Sequence, residues 1–174
     1  MRVTMMAAAG LALLTAGGAQ AEVVDAQPNG FEVKHEVVAN APAATVWNVL
    51  VQPSKWWASS HTWSGSAANL SLAPASGGCF CERLPSGGSV LHMTTVNATP
   101  GTRLVLSGAL GPLQSSGATG ALTVLLAEKD GKTTVTVTYD VGGYVKGGLD
   151  KWAGPVDGMI GQQVAGLKAA VEGK

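Results

Sequence analysis

The sequence predicts one α+β domain, in which an antiparallel sheet is covered by one long C-terminal helix. A chain of 174 residues suits a single domain. Asp130-Gly131 stands between two β-rich runs and predicts a two-residue hairpin turn. Residues 155–172 carry apolar side chains at helical spacing, which predicts the helix. Pairing outward from the turn gives the hairpin one apolar face and sets Leu126 opposite Val135, Val124 opposite Val137, and Leu122 opposite Tyr139.

Residues 1–21 have the pattern of a secretory signal peptide. Arg2 supplies the positive start, a short apolar run follows, and Ala19-Gln20-Ala21 has the small-x-small form that a signal peptidase accepts. The apolar run is shorter than the roughly 20 residues that cross a bilayer, so we expect cleavage after Ala21 and no retained anchor. The sequence therefore predicts an exported protein, secreted or periplasmic, with no stable membrane insertion.

The mature chain is expected to open with a flexible lead-in over residues 22–30, followed by the domain at 31–174. Alternation over residues 31–38 predicts the first strand. Asn40-Ala41-Pro42 then predicts the start of a helix, because proline is favoured in the first turn. Residues 53–57 predict a second short helical turn, so two short helices follow the first strand.

The middle of the chain predicts short strands joined by turns. Residues 58–78 are rich in Ser, Ala and Gly and predict weak strands at most. Stronger strand patterns cover residues 79–84, 89–98 and 103–107. The glycine-rich segment 108–120 is expected to be a loop. It lacks the Gly-Lys-Ser/Thr ending of a phosphate-binding loop, and no cofactor is predicted.

Charge and composition exclude several classes of protein. Lys plus Arg and Asp plus Glu number 11 each, so the basic excess that phosphate neutralisation needs is missing and no nucleic-acid partner is expected. Charged residues make up 13% of the chain and apolar residues 46%, which excludes disorder driven by charge. The chain also has no nucleophile-elbow sequence followed by Asp and His in order.

Three segments together resemble one superfamily. Residues 40–50, followed by Pro53 and Trp56-Trp57, resemble the opening of the branch named for activators of the heat-shock-protein-ninety ATPase. Residues 77–82, with a glycine-glycine-x-aromatic strand start, and residues 99–104 also fit that branch. With the element order, they make the chain similar to the SRPBCC or START-like superfamily. The resemblance implies the helix-grip fold, a curved antiparallel sheet wrapped around the long C-terminal helix.

The resemblance also implies a cavity between the sheet and the final helix, with a hydrophobic or amphipathic small molecule as the partner. The superfamily includes lipid carriers, hormone receptors, aromatic cyclases and co-chaperones, so the fold alone does not select an activity. The predicted export signal does not fit a co-chaperone that acts in the cytosol. The residues expected to line the cavity are Trp57, Trp63, Phe80, Glu82, His92, Tyr139 and Trp152.

Glu82 is the candidate for acid–base chemistry. It shares a strand face with Phe80, opposite to the two cysteines. If that face is the cavity side, burial would raise the pKa of Glu82, which could then exchange protons with a substrate together with His92. This hypothesis makes the protein a cyclase-like or hydrolase-like enzyme. The alternatives for Glu82 are a salt bridge with Arg83, Arg103 or a lysine, or plain exposure at the end of the strand. Alternation leaves open which strand face His92 takes.

Cys79 and Cys81 allow three interpretations. In an ideal strand their Cα atoms would lie about 6.5–7 Å apart, at the upper limit for a disulfide. They are two buried thiols, or a disulfide made possible by a local bulge, or a thiol redox or Cu(I)-handling site. One cysteine pair and three scattered histidines do not supply the usual four ligands of zinc, so no metal site is predicted.

The five tryptophans allow two interpretations. They pack the core beneath the two short helices, or they surround a cavity mouth. In the second case Trp56, Trp57 and Trp63 lie at one end, and Trp152 lies near the final helix with Tyr144. Indole rings offer wide apolar faces and one N–H donor, which suits either role.

Overall fold

A computed structural model describes residues 20–174. Within these residues, eight strands form one sheet in the order β1-β2-β8-β7-β6-β5-β4-β3, and every neighbouring pair is antiparallel. All but the last two positions of the predicted signal peptide lie outside the described residues. The strands are β1 (Gln20–Gln27), β2 (Gly30–Ala39), β3 (Leu70–Leu72), β4 (Cys79–Arg83), β5 (Ser89–Thr99), β6 (Arg103–Gly108), β7 (Gly117–Lys129) and β8 (Lys132–Tyr144).

Two α-helices accompany the sheet in the described part of the chain. Helix α1 spans Ala43–Leu50, and α2 spans Asp150–Val171. A 3₁₀ turn at Pro53–Lys55 follows α1, so the two short helical segments are found where they were predicted. The α+β class and the helix-grip arrangement are confirmed. Within residues 20–174, neither helix combines the length and the apolar character needed to cross a membrane.

The β7–β8 hairpin has the predicted turn and register. Asp130 and Gly131 have φ angles of 53° and 70°, in the left-handed region that a type I′ turn requires at both positions. Leu126 pairs with Val135, and Leu122 pairs with Tyr139. The apolar face is buried, because the two-residue period of a strand fixes which side chains face the core once the turn sets the register.

The prediction of a flexible lead-in over residues 22–30 is wrong, because β1 occupies most of it. β1 pairs with β2 from Gln20 opposite Glu36 to Gln27 opposite Gly30. The side chains from Glu22 onward in β1 are exposed, so this edge strand is held by its backbone hydrogen bonds. Without a buried face, its sequence shows no clear alternation, which explains why it was not predicted.

Helix α2 begins at Asp150, five residues before the predicted start. Leu149 and Ala153 are buried, and the Leu149 backbone N–H donates to the Pro28 carbonyl at 2.9 Å. These contacts hold the first turn against the domain. The helix therefore continues through Pro155, which removes one backbone hydrogen bond.

The apolar side of α2 packs against the inner face of the sheet. Val156, Ile160, Val164 and Leu167 are buried there. A Cβ atom at Gly161 would lie 2.8 Å from the His35 ring, so this glycine lets the helix approach β2 closely. The contact between α2 and β2 also includes a polar pair, in which His35 Nε2 lies 2.8 Å from Asp157 Oδ1.

Candidate functional site

A cleft of about 340 Å³ lies beside the N-terminal half of α2. We call it the outer cleft. Its volume lies within the range of small-molecule sites, about 300–1,000 Å³. The walls are the segments 57–63 and 110–113, His92 on β5, and Trp152, Pro155, Val156 and Met159 of α2.

A second space lies between the sheet and the C-terminal half of α2, and we call it the inner pocket. Its volume is about 40 Å³, enough for one or two waters but not for a drug-sized ligand. Ile160, Val164 and Leu167 face the sheet across it, and Phe80 lines it from β4. Trp57 borders both the inner pocket and the outer cleft. Of the two spaces beside α2, the outer cleft is the one with room for such a ligand.

Two glutamines of α2 hold the segment that forms one side of the outer cleft. Gln163 Oε1 accepts a hydrogen bond from the Ala58 backbone N–H at 2.8 Å. Gln162 Oε1 lies 2.8 Å from His61 Nε2. Trp57 packs at 5.3 Å between ring centroids against Phe80. Polar contacts to the helix and aromatic packing on the sheet thus set the position of this wall.

Glu82 is fully buried on β4, behind the wall of the outer cleft. Its carboxylate accepts hydrogen bonds from the backbone N–H groups of Trp63, at 3.1 Å, and of Ser64. Its Oε2 atom also lies 2.9 Å from His92 Nε2. Glu82 does not form the alternative salt bridge with Arg83, Arg103 or a lysine. The ionisable side chain that it contacts is His92.

The pKa of Glu82 is shifted down, opposite to the predicted direction. Burial alone would raise it, but hydrogen bonds from the side chain and backbone of Ser64, from the Trp63 backbone and from His92 together outweigh the burial. The sequence predicted burial of Glu82 only if its strand face lined the cavity, and it did not predict that a distant loop would supply the hydrogen-bond donors. At neutral pH Glu82 is therefore a carboxylate, which can only accept hydrogen bonds.

His92 is 7% exposed and forms part of the wall of the outer cleft. Its ring lies 5.0 Å from the Phe80 ring, centroid to centroid. Burial lowers the pKa of His92, and the hydrogen bond and negative charge of Glu82 only partly offset this. The imidazole is neutral at pH 7. Because Glu82 can only accept, the single ring proton belongs on Nε2, and Nδ1 carries a lone pair.

A β-bulge explains why His92 faces inward. Phe80 pairs with Met93, but the next residue of β4, Cys81, pairs with Leu91, so His92 is the extra residue of β5. His92 and Met93 are consecutive and both buried, whereas a regular strand would point them to opposite faces of the sheet. Bulges commonly redirect a side chain in this way. An alternating sequence pattern does not reveal such a bulge.

Cys79 and Cys81 are joined in a disulfide, with their Cα atoms 5.4 Å apart. The shift in β4–β5 register falls between Phe80 and Cys81, and the Cα separation is inside the range that a disulfide spans. Of the three interpretations of this cysteine pair, the structure shows the disulfide. Among the described residues no group of three or more His, Cys, Asp or Glu side chains is placed to hold a metal ion.

The structure brings four of the seven predicted lining residues to the outer cleft: Trp57, Trp63, His92 and Trp152. Phe80 lines the inner pocket instead, and Glu82 contacts the cleft only through His92. Trp63 is 55% exposed, at the rim, where its indole N–H donates to Gln114 Oε1 at 3.2 Å. The tryptophans thus divide between a cleft rim and core packing.

Tyr139 borders neither space, and its predicted place in the cavity wall is wrong. It is fully buried, packs edge-on against Phe31, and accepts a hydrogen bond from the Leu110 backbone N–H at 3.2 Å. Burial raises its pKa to about 12. Tyr139 therefore supports the wall at Leu110 from behind. The wall formed by residues 110–113 itself was not predicted, since this segment showed no periodic pattern.

Residues 30–172 match the model of a family described as polyketide cyclase / dehydrase and lipid transport. No curated protein sequence matches the chain. The match is consistent with the SRPBCC resemblance, whereas the branch of heat-shock-protein-ninety ATPase activators stays a prediction.

Solved structures with the same fold are numerous. Protein MLL2253 from Mesorhizobium loti superposes with a TM-score of 0.59 at 16% identity, covering 82% of this chain and 98% of that one. CalU16 from Micromonospora echinospora gives 0.60 at 14% identity, with coverage of 92% and 79%. DynU16, from the dynemicin biosynthetic locus, gives 0.56 at 17% identity, with coverage of 81% and 47%. At these identities the likeness concerns the fold alone.

Proposed function

The chain belongs to the polyketide cyclase / dehydrase and lipid transport family, and we propose that it binds an apolar or amphipathic small molecule in the outer cleft. The observation that carries the proposal is a cleft of about 340 Å³ bordered by three tryptophans, aliphatic side chains and one buried histidine. Broad apolar walls with few fixed polar groups are typical of small-molecule sites.

Filling the outer cleft should abolish binding. Val156 is buried and points from α2 into the cleft wall, so Val156→Phe places a ring in the space that the ligand needs. We expect the affinity for the neutral fluorescent probe N-phenyl-1-naphthylamine to fall at least tenfold. Val96→Phe is the matched control, because Val96 is 50% exposed on β5 and borders neither space. Equal binding by both variants and the wild type, or no uptake by any of them, would contradict the proposal.

A second candidate function is acid–base catalysis by Glu82 and His92. It is favoured by their 2.9 Å contact and by the place of His92 in the cleft wall. A neutral histidine next to a carboxylate can take a proton from a carbon beside a carbonyl, and the carboxylate then stabilises the imidazolium. The test is deuterium exchange into the acidic C–H position of 2-tetralone, followed by NMR. Exchange no faster with the wild type than with His92→Gln would rule out this function.

Export is proposed with the same function. The support comes from the pattern of residues 1–21 and from the disulfide, since disulfides persist mainly in oxidising compartments. Cleavage after Ala21 would leave Glu22–Gln27 of β1 to pair with β2. Mass spectrometry of the protein recovered from the cell exterior or periplasm should give a chain that begins at Glu22. A full-length chain retained inside the cell would contradict export.

The thiol redox or copper-handling alternative is favoured by no observation. Joined in a disulfide, Cys79 and Cys81 offer no thiolate to a metal ion. That hypothesis would require the reduced protein, and thiol titration with metal analysis remains its test.

A further inference from the structure

The outer cleft has no charged wall. Its lining, as the structure describes it for residues 20–174, contains no Lys, Arg, Asp or Glu. A carboxylate or ammonium group carried into this space would lose water without meeting an opposite charge, which is strongly unfavourable. Glu82 does not change this, because its carboxylate lies behind His92 and already has three partners. The chemistry of the walls thus selects a ligand that is neutral where it is buried.

The other polar side chains of the lining lie toward the rim. Ser60 and His61 are exposed, and His61 Nε2 is engaged with Gln162. The Thr62 hydroxyl donates to the Ser59 carbonyl at 2.8 Å. Among the described lining residues, His92 is the buried polar side chain. Its chemistry decides which polar group a ligand can present to the interior of the cleft.

His92 offers an acceptor and not a donor. Its Nε2–H group is directed at Glu82, so Nδ1 keeps a lone pair. Within residues 20–174, the buried side-chain polar atoms that lack a hydrogen-bond partner belong to His35 and Asp157. Nδ1 of His92 has no hydrogen-bond partner within residues 20–174 either, yet it is not one of these buried atoms. It is therefore accessible, and His92 lines the outer cleft. The complement of a free lone pair at an apolar wall is a neutral hydrogen-bond donor, such as a hydroxyl group.

We infer that the outer cleft takes a neutral, mainly apolar ligand whose hydroxyl group donates a hydrogen bond to His92 Nδ1. This inference rests on the proposed function, because it names the ligand class of the same cleft. A site that hydrogen-bonds a hydroxyl discriminates against an analogue without one, because the buried acceptor is then left unpaired. The same acceptor repels an anionic oxygen.

Three naphthalenes of the same ring system separate the possibilities. Their binding is measured at pH 7.5 by displacement of N-phenyl-1-naphthylamine. We expect 2-naphthol to bind roughly tenfold more tightly than 2-methoxynaphthalene, which keeps the oxygen but lacks the donor, and 2-naphthoate to bind weakest. If the ether binds as tightly as the naphthol, or the carboxylate binds best, the inference is wrong although the proposed function stands. If neither the probe nor any naphthalene binds, both are wrong.

The preference should depend on His92. In His92→Phe, 2-naphthol should lose its tenfold advantage while the affinity for the ether stays unchanged. Val96→Phe is the control, since Val96 is exposed on β5 and borders neither space, and it should keep the advantage. A naphthol preference that survives in His92→Phe would overturn the inference.

The wild type gives an independent readout that does not depend on the folding of a variant. The ¹⁵N resonance of His92 Nδ1 should move when 2-naphthol is added, because an unprotonated ring nitrogen is sensitive to an accepted hydrogen bond. It should move little with bound 2-methoxynaphthalene. An unchanged resonance at saturating naphthol would contradict the assignment of His92 as the acceptor.

Discussion

At the scale of single residues, one extra residue in β5 creates the candidate site. Without the bulge, His92 and Met93 would lie on opposite faces of the sheet. With it, both are buried, and His92 reaches Glu82 on the neighbouring strand. The chemistry of the pair then follows from its surroundings. Hydrogen bonds from the Ser64 side chain, from the backbone of Ser64 and Trp63 and from His92 keep the pKa of Glu82 low, so that it stays ionised. Burial keeps His92 neutral.

The first prediction concerns the protonation of His92. In a ¹⁵N NMR titration, the free protein should show the proton on Nε2 and a His92 pKa below the ordinary value of 6.5. In Glu82→Gln the pKa should fall further, because the lost carboxylate no longer stabilises the imidazolium. A proton on Nδ1 in the wild type, or a pKa that rises in Glu82→Gln, would contradict this description of the pair.

Residue types allowed part of the site to be predicted. Trp57, Trp63 and Trp152 were placed at the cavity by the resemblance to the superfamily, while their residue type suited core packing equally well, and they border the outer cleft. Tyr139 was misplaced, because alternation shows that a side chain faces inward but not whether it meets a space or another side chain. The partners of Glu82 come from a loop almost twenty residues away in sequence, and no local pattern specifies them.

At the scale of elements, the length and packing of α2 depend on glycines with different surroundings. A Cβ atom at Gly161 would lie 2.8 Å from the ring of His35. That ring cannot move freely, because it is buried and lies beside Asp157. A Cβ atom at Gly158 would meet nothing within 4 Å. The same residue type is thus required for packing at one position and not at the other.

The second prediction uses these two glycines as a matched pair. Replacing a helical glycine by alanine favours the helix by about 1 kcal/mol where space allows. Gly158→Ala should therefore raise the free energy of unfolding by roughly that amount. Gly161→Ala should lower it, because the displaced His35 ring costs more than the helix gains. Urea denaturation measures both, and a stabilised Gly161→Ala variant would show that α2 does not pack closely on β2.

Elements with a buried face could be predicted, and those without one could not. The β7–β8 hairpin has both a specific turn and an apolar face, and its register was predicted pair by pair. β1 has neither, since it is held at the sheet edge by backbone hydrogen bonds with exposed side chains. Helix α2 was predicted from its apolar spacing, but its start was misplaced because Pro155 normally marks a first turn.

At the scale of the whole molecule, the two halves of α2 have different roles. The C-terminal half packs on the sheet and leaves only about 40 Å³. The N-terminal half stands beside loops and His92 and borders a cleft of about 340 Å³. The expected hollow is therefore displaced toward one end of the helix. Packing of the C-terminal half holds α2 in place, so that the N-terminal half can border an open space without collapsing onto it.

The third prediction is that acid destabilises the whole molecule through two carboxylates in different parts of the fold. The pKa of Glu172 is lowered from its ordinary value of 4.5 to about 2, because it accepts hydrogen bonds from Lys174, the Asn40 backbone N–H and Lys168. The pKa of Glu82 is lowered as well. A carboxyl with a lower pKa in the folded state adds stability above its unfolded pKa, and that stability is lost as the pH falls through the folded pKa.

The free energy of unfolding from urea denaturation should therefore decline as the pH falls from 4.5 toward about 2. Glu172→Gln should be less stable than the wild type at pH 7, because the end of α2 loses its ionic contacts near the end of β2. Its decline in acid should be shallower, because one of the two linked protonations is gone. Glu22→Gln, at an exposed position on β1, should follow the wild-type profile. If Glu172→Gln also follows it, the C-terminal contacts of α2 do not contribute to acid stability.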